Sequence, residues 1–191
     1  MNICIDIDGT ITDAYCWLEM TNQYFGRTIK PFEVTVYDVY EVFNIPKEDY
    51  LDFYERFGEE MHGKAEIRGT AKEILWKLDK QHNIYYVTAR EEKMKRVTEA
   101  WFANNELPRG ELYLLGSHYK VEKAKELDCD IFIEDRYENA IELSQAGFQV
   151  LLIDCYYNQG PLISGVTRVF TWKDIDETIE AYASHRIRIA G

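Results

Sequence analysis

The stretch Ile3-Cys4-Ile5-Asp6-Ile7-Asp8-Gly9-Thr10-Ile11-Thr12 is the part of this sequence that decides how the chain folds. It predicts a buried strand, because an apolar run that ends in two carboxylates and a glycine is typical of a parallel strand with a reactive end. Asp6 and Asp8 are two residues apart, so we expect their side chains on the same face of that strand. Two neighbouring anions require a cation between them or a raised pKa on one of them.

The residues that follow these carboxylates predict a site for an anion. Gly9 allows the backbone to approach a ligand closely, and the N–H groups of Gly9 and Thr10 can point at an anion. Carboxylates beside such a cradle indicate a phosphate group bound together with a hard divalent metal. Mg²⁺ is the metal that we expect, because it takes few protein ligands and completes its shell with water and phosphate.

The composition indicates a protein with one full core and room for a small subdomain, since 46% of its 191 residues are apolar. The formal charge of −12 argues against a nucleic-acid polymer as partner, because binding a phosphate backbone needs clustered Lys and Arg. No apolar run approaches the length that spans a bilayer, and Asp6 comes too early for a secretory signal. We therefore expect a cytoplasmic protein that binds a small ligand and no membrane.

The cysteines and histidines show no spacing that is typical of metal ligands or of a redox motif. We expect the cysteines to be buried thiols, and we expect His118 on the surface although it is near Lys120 in sequence. The cysteines are Cys4, Cys16, Cys129 and Cys155, and the other histidines are His62, His82 and His185.

Residues 13–67 differ in character from the rest of the chain. Aromatic residues recur there at helical spacing, which predicts helices joined near Gly26, Pro31 and Pro46. Between residues 13 and 66 lie twelve of the 27 aromatic residues, and twelve Asp or Glu against five Lys or Arg. This segment is therefore the acidic and aromatic part of the molecule.

From residue 68 onward, predicted strands alternate with predicted helices, which indicates a parallel sheet with helices packed on it. Asp6, Thr88 and Asp135 each close or directly follow a strand, and the carboxyl ends of parallel strands meet at one edge, where ligands bind. The predicted elements are helix 71–81, strand 84–88, helix 91–104, strand 112–115, helix 120–127, strand 130–133, helix 137–146, strand 149–153 and a helix from residue 172.

These motifs, taken in order, resemble the signatures of the haloacid dehalogenase-like (HAD) phosphohydrolases. Asp6-Ile7-Asp8-Gly9-Thr10 is similar to the first signature, Asp-x-Asp-Gly-Thr/Val. Thr88 is similar to the second, a Thr or Ser at a strand end, and Glu134-Asp135 resembles the fourth, where many members have two Asp. The third signature is a lysine upstream of the last acidic motif. Lys120 is our preferred match, and Lys123 and Lys125 remain alternatives.

The resemblance implies a role for each matching residue. Asp6 is expected to be the nucleophile and Asp8 the general acid and base. Mg²⁺ is expected on the carboxylates of Asp6 and Asp135 and on the main-chain carbonyl of Asp8, with Glu134 and Arg90 supporting the site from outside. The residues expected to bind the phosphoryl group are Gly9, Thr10, Thr88, Ala89 and Lys120.

The resemblance also implies the architecture, a Rossmann-like α/β core sandwiched by helices. Residues 1–12 and 68–191 are expected to form this core, and residues 13–67 a small helical cap inserted after the first strand. Within the HAD proteins the chain is most similar to the 5'(3')-deoxyribonucleotidase group. That similarity rests on the place of the cap and on the following residues: Val87-Thr88-Ala89-Arg90, Phe132-Ile133-Glu134-Asp135-Arg136, Tyr157-Asn158 and Trp172.

Similarity to that group implies a Mg²⁺-dependent phosphatase that hydrolyses nucleoside (deoxyribo)monophosphates through an aspartyl phosphate. Such substrates carry a flat head, and aromatic residues of the cap are candidates to stack on it. The candidates are Tyr15, Trp17, Tyr24, Phe25, Phe32 and Tyr37.

Two other functions remain open at this point. A phosphosugar or phospho-amino-acid phosphatase would keep the chemistry, but we expect its cap to be richer in basic residues. A non-enzymatic phospho-accepting signalling domain also uses an Asp cluster, a Thr and a Lys, but it lacks both the long insertion and the second acid. The sequence leaves the natural substrate and the oligomeric state undetermined.

Overall fold

The computed structural model describes residues 1–190, and it describes the side chains of residues 1–185. Strands and helices alternate after a long helical segment. The strands are β1 (Asn2–Ile5), β2 (Asn83–Thr88), β3 (Glu111–Leu114), β4 (Ile131–Glu134), β5 (Gln149–Ile153) and β6 (Val166–Val169). The α-helices are α1 (Leu18–Phe25), α2 (Val39–Phe43), α3 (Lys47–Lys64), α4 (Ala71–Asp79), α5 (Lys95–Asn104), α6 (Val121–Glu126), α7 (Tyr137–Gln145) and α8 (Trp172–Ala190). Two short 3₁₀ helices span Pro31–Glu33 and Glu92–Met94.

The six strands form one parallel sheet in the order β3-β2-β1-β4-β5-β6. β1 lies between β2 and β4, and Ile3 is in register with Ile84 on one side and with Ile131 on the other. The strand order reverses at β1, and ligands of open α/β sheets bind at the carboxyl end of such a strand. The sheet confirms the predicted α/β fold and makes the end of β1 the expected place for a site.

The alternation along β1 divides the apolar core into two layers. Ile3 and Ile5 pack on one face of the sheet with Leu75 of α4 and Trp101 of α5. Cys4 packs on the other face in a cluster that includes Phe132 of β4 and residues of α6 and α7. Each of these side chains is almost completely buried, and burial of such a residue contributes about 1.5–3 kcal/mol.

The four cysteines are free thiols. Cys4, Cys129 and Cys155 are buried, as expected, but Cys16 is only partly buried, so the prediction was wrong for that residue. Cys16 lines a cavity that is described below.

Residues 13–67 contain α1, α2, α3 and a 3₁₀ helix, joined close to the predicted breaks. They have a small apolar cluster of their own around Leu18, Val34 and Phe43. The two ends of the segment are held together, because Thr12 forms an antiparallel bridge with Ile67. The segment therefore leaves and re-enters the rest of the fold at one place.

Several predicted boundaries shift by a few residues. β1 ends at Ile5, although the Asp6 N–H still donates to the Ile133 carbonyl at 3.0 Å. The predicted helix 91–104 is divided into the 3₁₀ turn Glu92–Met94 and α5, and β3 covers 111–114 instead of 112–115. Within the described residues, no helix is long and apolar enough to cross a membrane.

Two tryptophans that donate to backbone carbonyls allow a test of the packing around the end of β1. Trp172 is 1% exposed and its Nε1–H donates to the Thr10 carbonyl at 3.0 Å, whereas the 42% exposed Trp76 donates to the Glu106 carbonyl at 2.9 Å. We predict that Trp172→Phe lowers the free energy of unfolding in urea by about 1–3 kcal/mol, because a buried carbonyl loses its donor. Trp76→Phe, the control, is expected to change it by less than about 0.5 kcal/mol, because water replaces the indole. Equal losses in both variants would contradict this account.

Candidate active site

Three carboxylates meet at the carboxyl ends of the neighbouring strands β1 and β4. Asp6 follows β1, Glu134 ends β4 and Asp135 comes directly after it. One oxygen from each lies within 4.8 Å of the others, and all three residues are at most 5% exposed. Adjacent parallel strands bring residues together that are more than 120 positions apart in sequence.

Lys120, immediately before α6, contributes the cation of this cluster. Its ammonium pairs with Asp6 and, at 2.8 Å, with Glu134. These two anions outweigh the effect of burial and hold the pKa of Lys120 above its usual range. The two alternative lysines lie elsewhere, since Lys123 pairs with Glu126 and Lys125 with Glu122 on the surface of α6. Of the three, the structure brings Lys120 to the cluster.

Glu134 is held mainly by donors from the protein. Its second oxygen accepts hydrogen bonds from the Arg136 N–H at 3.1 Å and from the Asn139 amide at 3.2 Å. Glu134 therefore connects Lys120 to α7. Asp6 and Asp135 accept fewer hydrogen bonds from the protein than Glu134 does.

The cluster contains more negative than positive charge. Three carboxylates face one ammonium, and burial followed by the charge of Glu134 raises the pKa of Asp135 to about 7. Burial also raises the pKa of Asp6 well above its usual value, although Lys120 opposes the shift. A set of buried carboxylate oxygens with a deficit of cations is the donor set that a hard divalent ion prefers. These residues therefore fit Mg²⁺.

Asp8 has a separate environment. Arg90 forms a two-pronged pair with its carboxylate, at 2.8 Å from Nε and 2.6 Å from Nη2, and Nδ1 of His62 lies 3.4 Å from the same group. Burial alone would raise the pKa of Asp8, but Arg90 and then His62 outweigh it and hold that pKa well below its usual range. Arg90 is fixed in turn by the Thr98 hydroxyl at 2.8 Å. The Asp8 side chain therefore belongs to an ion pair next to the carboxylate cluster and lies outside the cluster itself.

The turn after β1 contains the two N–H groups that were predicted to bind an anion. The Gly9 N–H donates to the Thr12 hydroxyl at 3.0 Å and the Thr10 N–H to the Ile7 carbonyl at 3.3 Å. Both groups form hydrogen bonds inside a tight turn, in which Gly9 has a φ of 75°, and their binding of an anion stays a prediction. The Thr10 hydroxyl lies 3.4 Å from Asp135.

Thr88 and Ala89 lie at the end of β2, beside the end of β1. Thr88 is 1% exposed, and its hydroxyl accepts a hydrogen bond from the Arg90 N–H at 3.2 Å while its own hydrogen stays available. Ala89 lines the cavity next to Asp8. Thr88 thus lies behind the cavity wall in this structure.

Two residues after β5 support Asp135, and the sequence analysis gave neither of them a role in the site. The Tyr157 hydroxyl donates to the Asp135 carboxylate, and the Asn158 amide donates to the Asp135 carbonyl at 2.6 Å. Arg68 fixes the neighbouring backbone, since it donates to the carbonyls of Gly9 and Asp154, both at 2.5 Å. Their positions in the sequence could have indicated this role. Tyr157 and Asn158 come soon after β5, and Arg68 is the first residue after the helical segment.

A cavity of about 400 Å³ opens beside the carboxylates, between the sheet edge and residues 13–67. Of the six aromatic candidates, Trp17 and Tyr37 line it. Tyr37 also makes an edge-on ring contact with Tyr157 and lies over the Arg136 guanidinium at 4.7 Å. Burial, and then the charge of Asp135, raises the pKa of the Tyr37 hydroxyl well above its usual value, so this hydroxyl stays protonated close to the cluster.

The other four candidates do not line this cavity, and their contact with a substrate stays a prediction. Tyr24 and Phe25 pack on Phe53 of α3, and Tyr24 remains 45% exposed. Phe32 is 62% exposed, and the Tyr15 hydroxyl accepts a hydrogen bond from the Tyr156 N–H.

The cavity wall includes residues that the sequence analysis missed or placed elsewhere. Tyr50, Tyr54 and His62 of α3 line it. His118 is exposed, as expected, but it also lines the cavity and makes an edge-on ring contact with Tyr37. The helical spacing of Tyr50 and Tyr54 was visible in the sequence, but which face of α3 turns toward the cavity was not.

Comparison with known proteins places most of this chain within one group. The family model for 5' nucleotidase, deoxy (pyrimidine), cytosolic type C proteins matches residues 1–185. A nucleotidase of Clostridium acetobutylicum is 45% identical over 175 residues, which are 92% of this chain and 91% of that protein.

Solved structures of HAD-type proteins have the same fold. A haloacid dehalogenase-like hydrolase from Streptococcus pneumoniae superimposes with a TM-score of 0.68 at 15% identity, covering 95% of this chain and 97% of that one. A magnesium-bound structure of the HAD-type protein YfnB from Bacillus subtilis gives a TM-score of 0.62 at 14% identity, covering 94% and 98%. These two similarities support the fold alone.

Gly9 and Gly26 provide a matched test of how tightly the site is packed. Both have positive φ, but a Cβ on Gly9 would lie 2.6 Å from the Tyr157 hydroxyl and 2.8 Å from Cγ of Asp135, whereas a Cβ on Gly26 meets no atom within 4 Å. We predict that Gly26→Ala lowers the free energy of unfolding by about 1–2 kcal/mol, from backbone strain alone. Gly9→Ala is expected to lower the free energy of unfolding by about a further 1–3 kcal/mol, because the added Cβ overpacks the site. Denaturant unfolding followed by circular dichroism measures both, and equal losses would show that the Gly9 site has room to adjust.

Proposed function

This chain belongs to the 5' nucleotidase, deoxy (pyrimidine), cytosolic type C family of HAD phosphohydrolases, and from that premise we propose that it hydrolyses nucleoside monophosphates through an aspartyl phosphate on Asp6. The observation that carries the proposal is the buried cluster of Asp6, Glu134, Asp135 and Lys120 at the end of β1, beside a cavity large enough for a small ligand. The enzyme is a phosphatase by family, and its mechanism and substrate are what we propose here.

The first step is attack of an Asp6 carboxylate oxygen on the phosphorus of the substrate. A bond forms between that oxygen and phosphorus, the bond to the nucleoside oxygen breaks, and the leaving oxygen takes a proton from Asp8. In the second step a water attacks the phosphorus of the aspartyl phosphate and passes a proton to Asp8. The bond between phosphorus and the Asp6 oxygen breaks, so that inorganic phosphate is released and the Asp6 carboxylate is restored. Proton transfer of this kind contributes about 10²–10⁴-fold to the rate.

Two charges have to be cancelled before an anionic nucleophile can approach an anionic phosphate. Lys120 lies between Asp6 and Glu134 and supplies one positive charge from the protein. Asp6 and Asp135, with the Asp8 carbonyl, are the residues that would hold Mg²⁺, which supplies charge neutralisation and orientation of the phosphate when bound. The choice of this metal rests on the buried carboxylate donors, and YfnB, which shares the fold, is a magnesium-bound protein.

The ion pair with Arg90 affects the two steps differently. It favours the ionised form of Asp8, which is the base that the second step requires. The first step requires the acid form, and the negative charge of an arriving phosphate favours protonation of the neighbouring carboxyl.

Residues 13–67 act, in this proposal, as a cap over a core made of residues 1–12 and 68–191. The paired ends at Thr12 and Ile67 and the position of the cavity between the two parts support these bounds. The aromatic wall of Trp17, Tyr37 and Tyr50 suits a flat base better than a sugar phosphate. The family's description as cytosolic supports a cytoplasmic location, and a small phosphomonoester is the partner that we propose.

The substrate is tested by phosphate release from a panel of monophosphates, with Mg²⁺ and with a chelator. We predict that thymidylate and uridylate are hydrolysed at least about tenfold faster than glucose 6-phosphate, as expected for one stacking contact of about 1–3 kcal/mol. Chelation is expected to abolish turnover, and Asp6→Asn, which keeps the size of the side chain, to lower it by about 10³-fold or more. Full turnover by Asp6→Asn would refute the nucleophile, and equal rates across the panel would refute the nucleotide preference.

The wall of the cavity is tested by a matched pair of tyrosines. Tyr37 lines the cavity, whereas Tyr24 packs on Phe25 and Phe53 inside the helical segment. We predict that Tyr37→Leu raises the KM for thymidylate by about tenfold, because a stacked ring contributes about 1–3 kcal/mol. Tyr24→Leu is expected to leave KM within about twofold, even if it lowers stability. A larger effect from Tyr24 than from Tyr37 would place the substrate elsewhere.

A further inference from the structure

His62 lies next to Asp8 although nothing in its sequence position indicated a role. It belongs to the last turn of α3, and its side chain is 11% exposed. Its Nδ1 lies 3.4 Å from Oδ1 of Asp8, and its Nε2 lies 2.7 Å from the Tyr54 hydroxyl. The imidazole therefore stands between a carboxylate of the site and a tyrosine that lines the cavity.

Both contacts can be made by the neutral ring and by the protonated ring, in which Nε2 donates to the Tyr54 oxygen. With the hydrogen on Nδ1, His62 can donate toward Asp8, and Nε2 can accept from the Tyr54 hydroxyl. Tyr54 and His62 also make an edge-on ring contact, with centroids 5.7 Å apart. Tyr54 thus fixes the plane of the imidazole from the side opposite to Asp8.

The end of α3 is anchored to the core, which fixes His62 relative to the sheet. The Trp101 indole N–H donates at 2.8 Å to the carbonyl of Ala65, three residues after His62. Ile67 then forms the bridge with Thr12. The imidazole is therefore carried by the part of α3 nearest to the point where the segment rejoins the core.

Asp8 has contacts from two directions, one with Arg90 and one with His62. Its carboxylate is 42% exposed and lies beyond the end of β1, and Arg90 approaches both oxygens through Nε and Nη2. Because Thr98 fixes Arg90, this pair holds the carboxylate from one direction, and His62 supplies a contact from another direction. Catalytic geometry of this kind depends on such a supporting contact, and a displacement of about 1 Å can cost about 10²-fold in rate.

We propose that His62, braced by Tyr54, is a positioning residue that holds the Asp8 carboxyl toward the leaving oxygen of the substrate. The inference rests on the proposed function, because it concerns the proton transfer assigned to Asp8. His62 itself touches no reacting atom, so its loss should affect only the step that needs a proton from Asp8.

The test compares leaving groups in the first turnover. A nucleoside leaves as an alkoxide that needs a proton, whereas 4-nitrophenolate leaves without one. We predict that His62→Ala slows release of thymidine from thymidylate by about 10²-fold but release from 4-nitrophenyl phosphate by less than about threefold, with KM values within about twofold. A merely structural role would slow both substrates alike.

Two further variants separate the two sides of the ring. His62→Asn places an amide near the position of Nδ1 and should recover about tenfold of the loss, whereas His62→Gln, which reaches the position of Nε2, should behave like His62→Ala. His82→Ala, remote from the cavity, is the control and should leave every rate unchanged. Equal effects of Asn and Gln, or slowing of both substrates by the same factor, would overturn the proposal.

A double-mutant cycle with Asp8→Asn completes the experiment. If His62 acts through Asp8, then Asp8→Asn/His62→Ala is no slower than Asp8→Asn alone, and an additive loss would overturn the proposal. Failure of the proposed function is seen separately, as absence of release from either substrate by the wild-type protein, and it would overturn both. If the wild-type protein is active and His62→Ala releases thymidine at the same rate, only this inference is overturned.

Discussion

The ion pair of Lys120 with Asp6 and Glu134 is the interaction on which the rest of the site depends. Burying a carboxylate costs several kcal/mol, and three of them lie together at the end of β1. Lys120 offsets part of this cost from the start of α6, and removing it would leave the buried Asp6 carboxylate without its cation, at about 3–5 kcal/mol. The remaining negative charge is what suits the site to a divalent cation and to a phosphate that arrives with it.

The end of β1 explains why Asp6 and Asp8 have different partners although they are only two residues apart. β1 ends at Ile5 and the chain turns at Gly9, so the two carboxylates meet different partners. Asp6 faces Lys120 and the other acids, which suits a nucleophile held in place by charge. Asp8 faces Arg90, and it can take up and release a proton only as the charge around that pair changes. One short motif thus provides two carboxylates for different tasks.

The sequence predicted the sheet and the residues at its edge more accurately than the residues of the helical segment. A strand fixes where its last residue points, so Asp6 and Asp135 could be expected to meet from their positions alone. A helix that packs on another helix carries no such information about which face is turned outward. Tyr24 was therefore a candidate for stacking on a substrate although it packs on Phe53 and does not line the cavity, and His62 was overlooked although it lies 3.4 Å from Asp8. The sequence also did not indicate that the N–H groups of Gly9 and Thr10 have partners within the turn itself.

The most direct test of the central claim is calorimetric titration of the protein with Mg²⁺, compared with the variant Asp135→Asn. If the buried carboxylates form one cation site, the wild-type protein binds a single Mg²⁺. Its thermal midpoint should then rise with Mg²⁺ concentration, with a stabilisation of about 2.7 kcal/mol at a hundred times the Kd. Asp135→Asn should lose most of this binding and the rise in thermal midpoint with it. Binding of equal strength in both proteins, or no saturable binding by the wild type, would contradict the account.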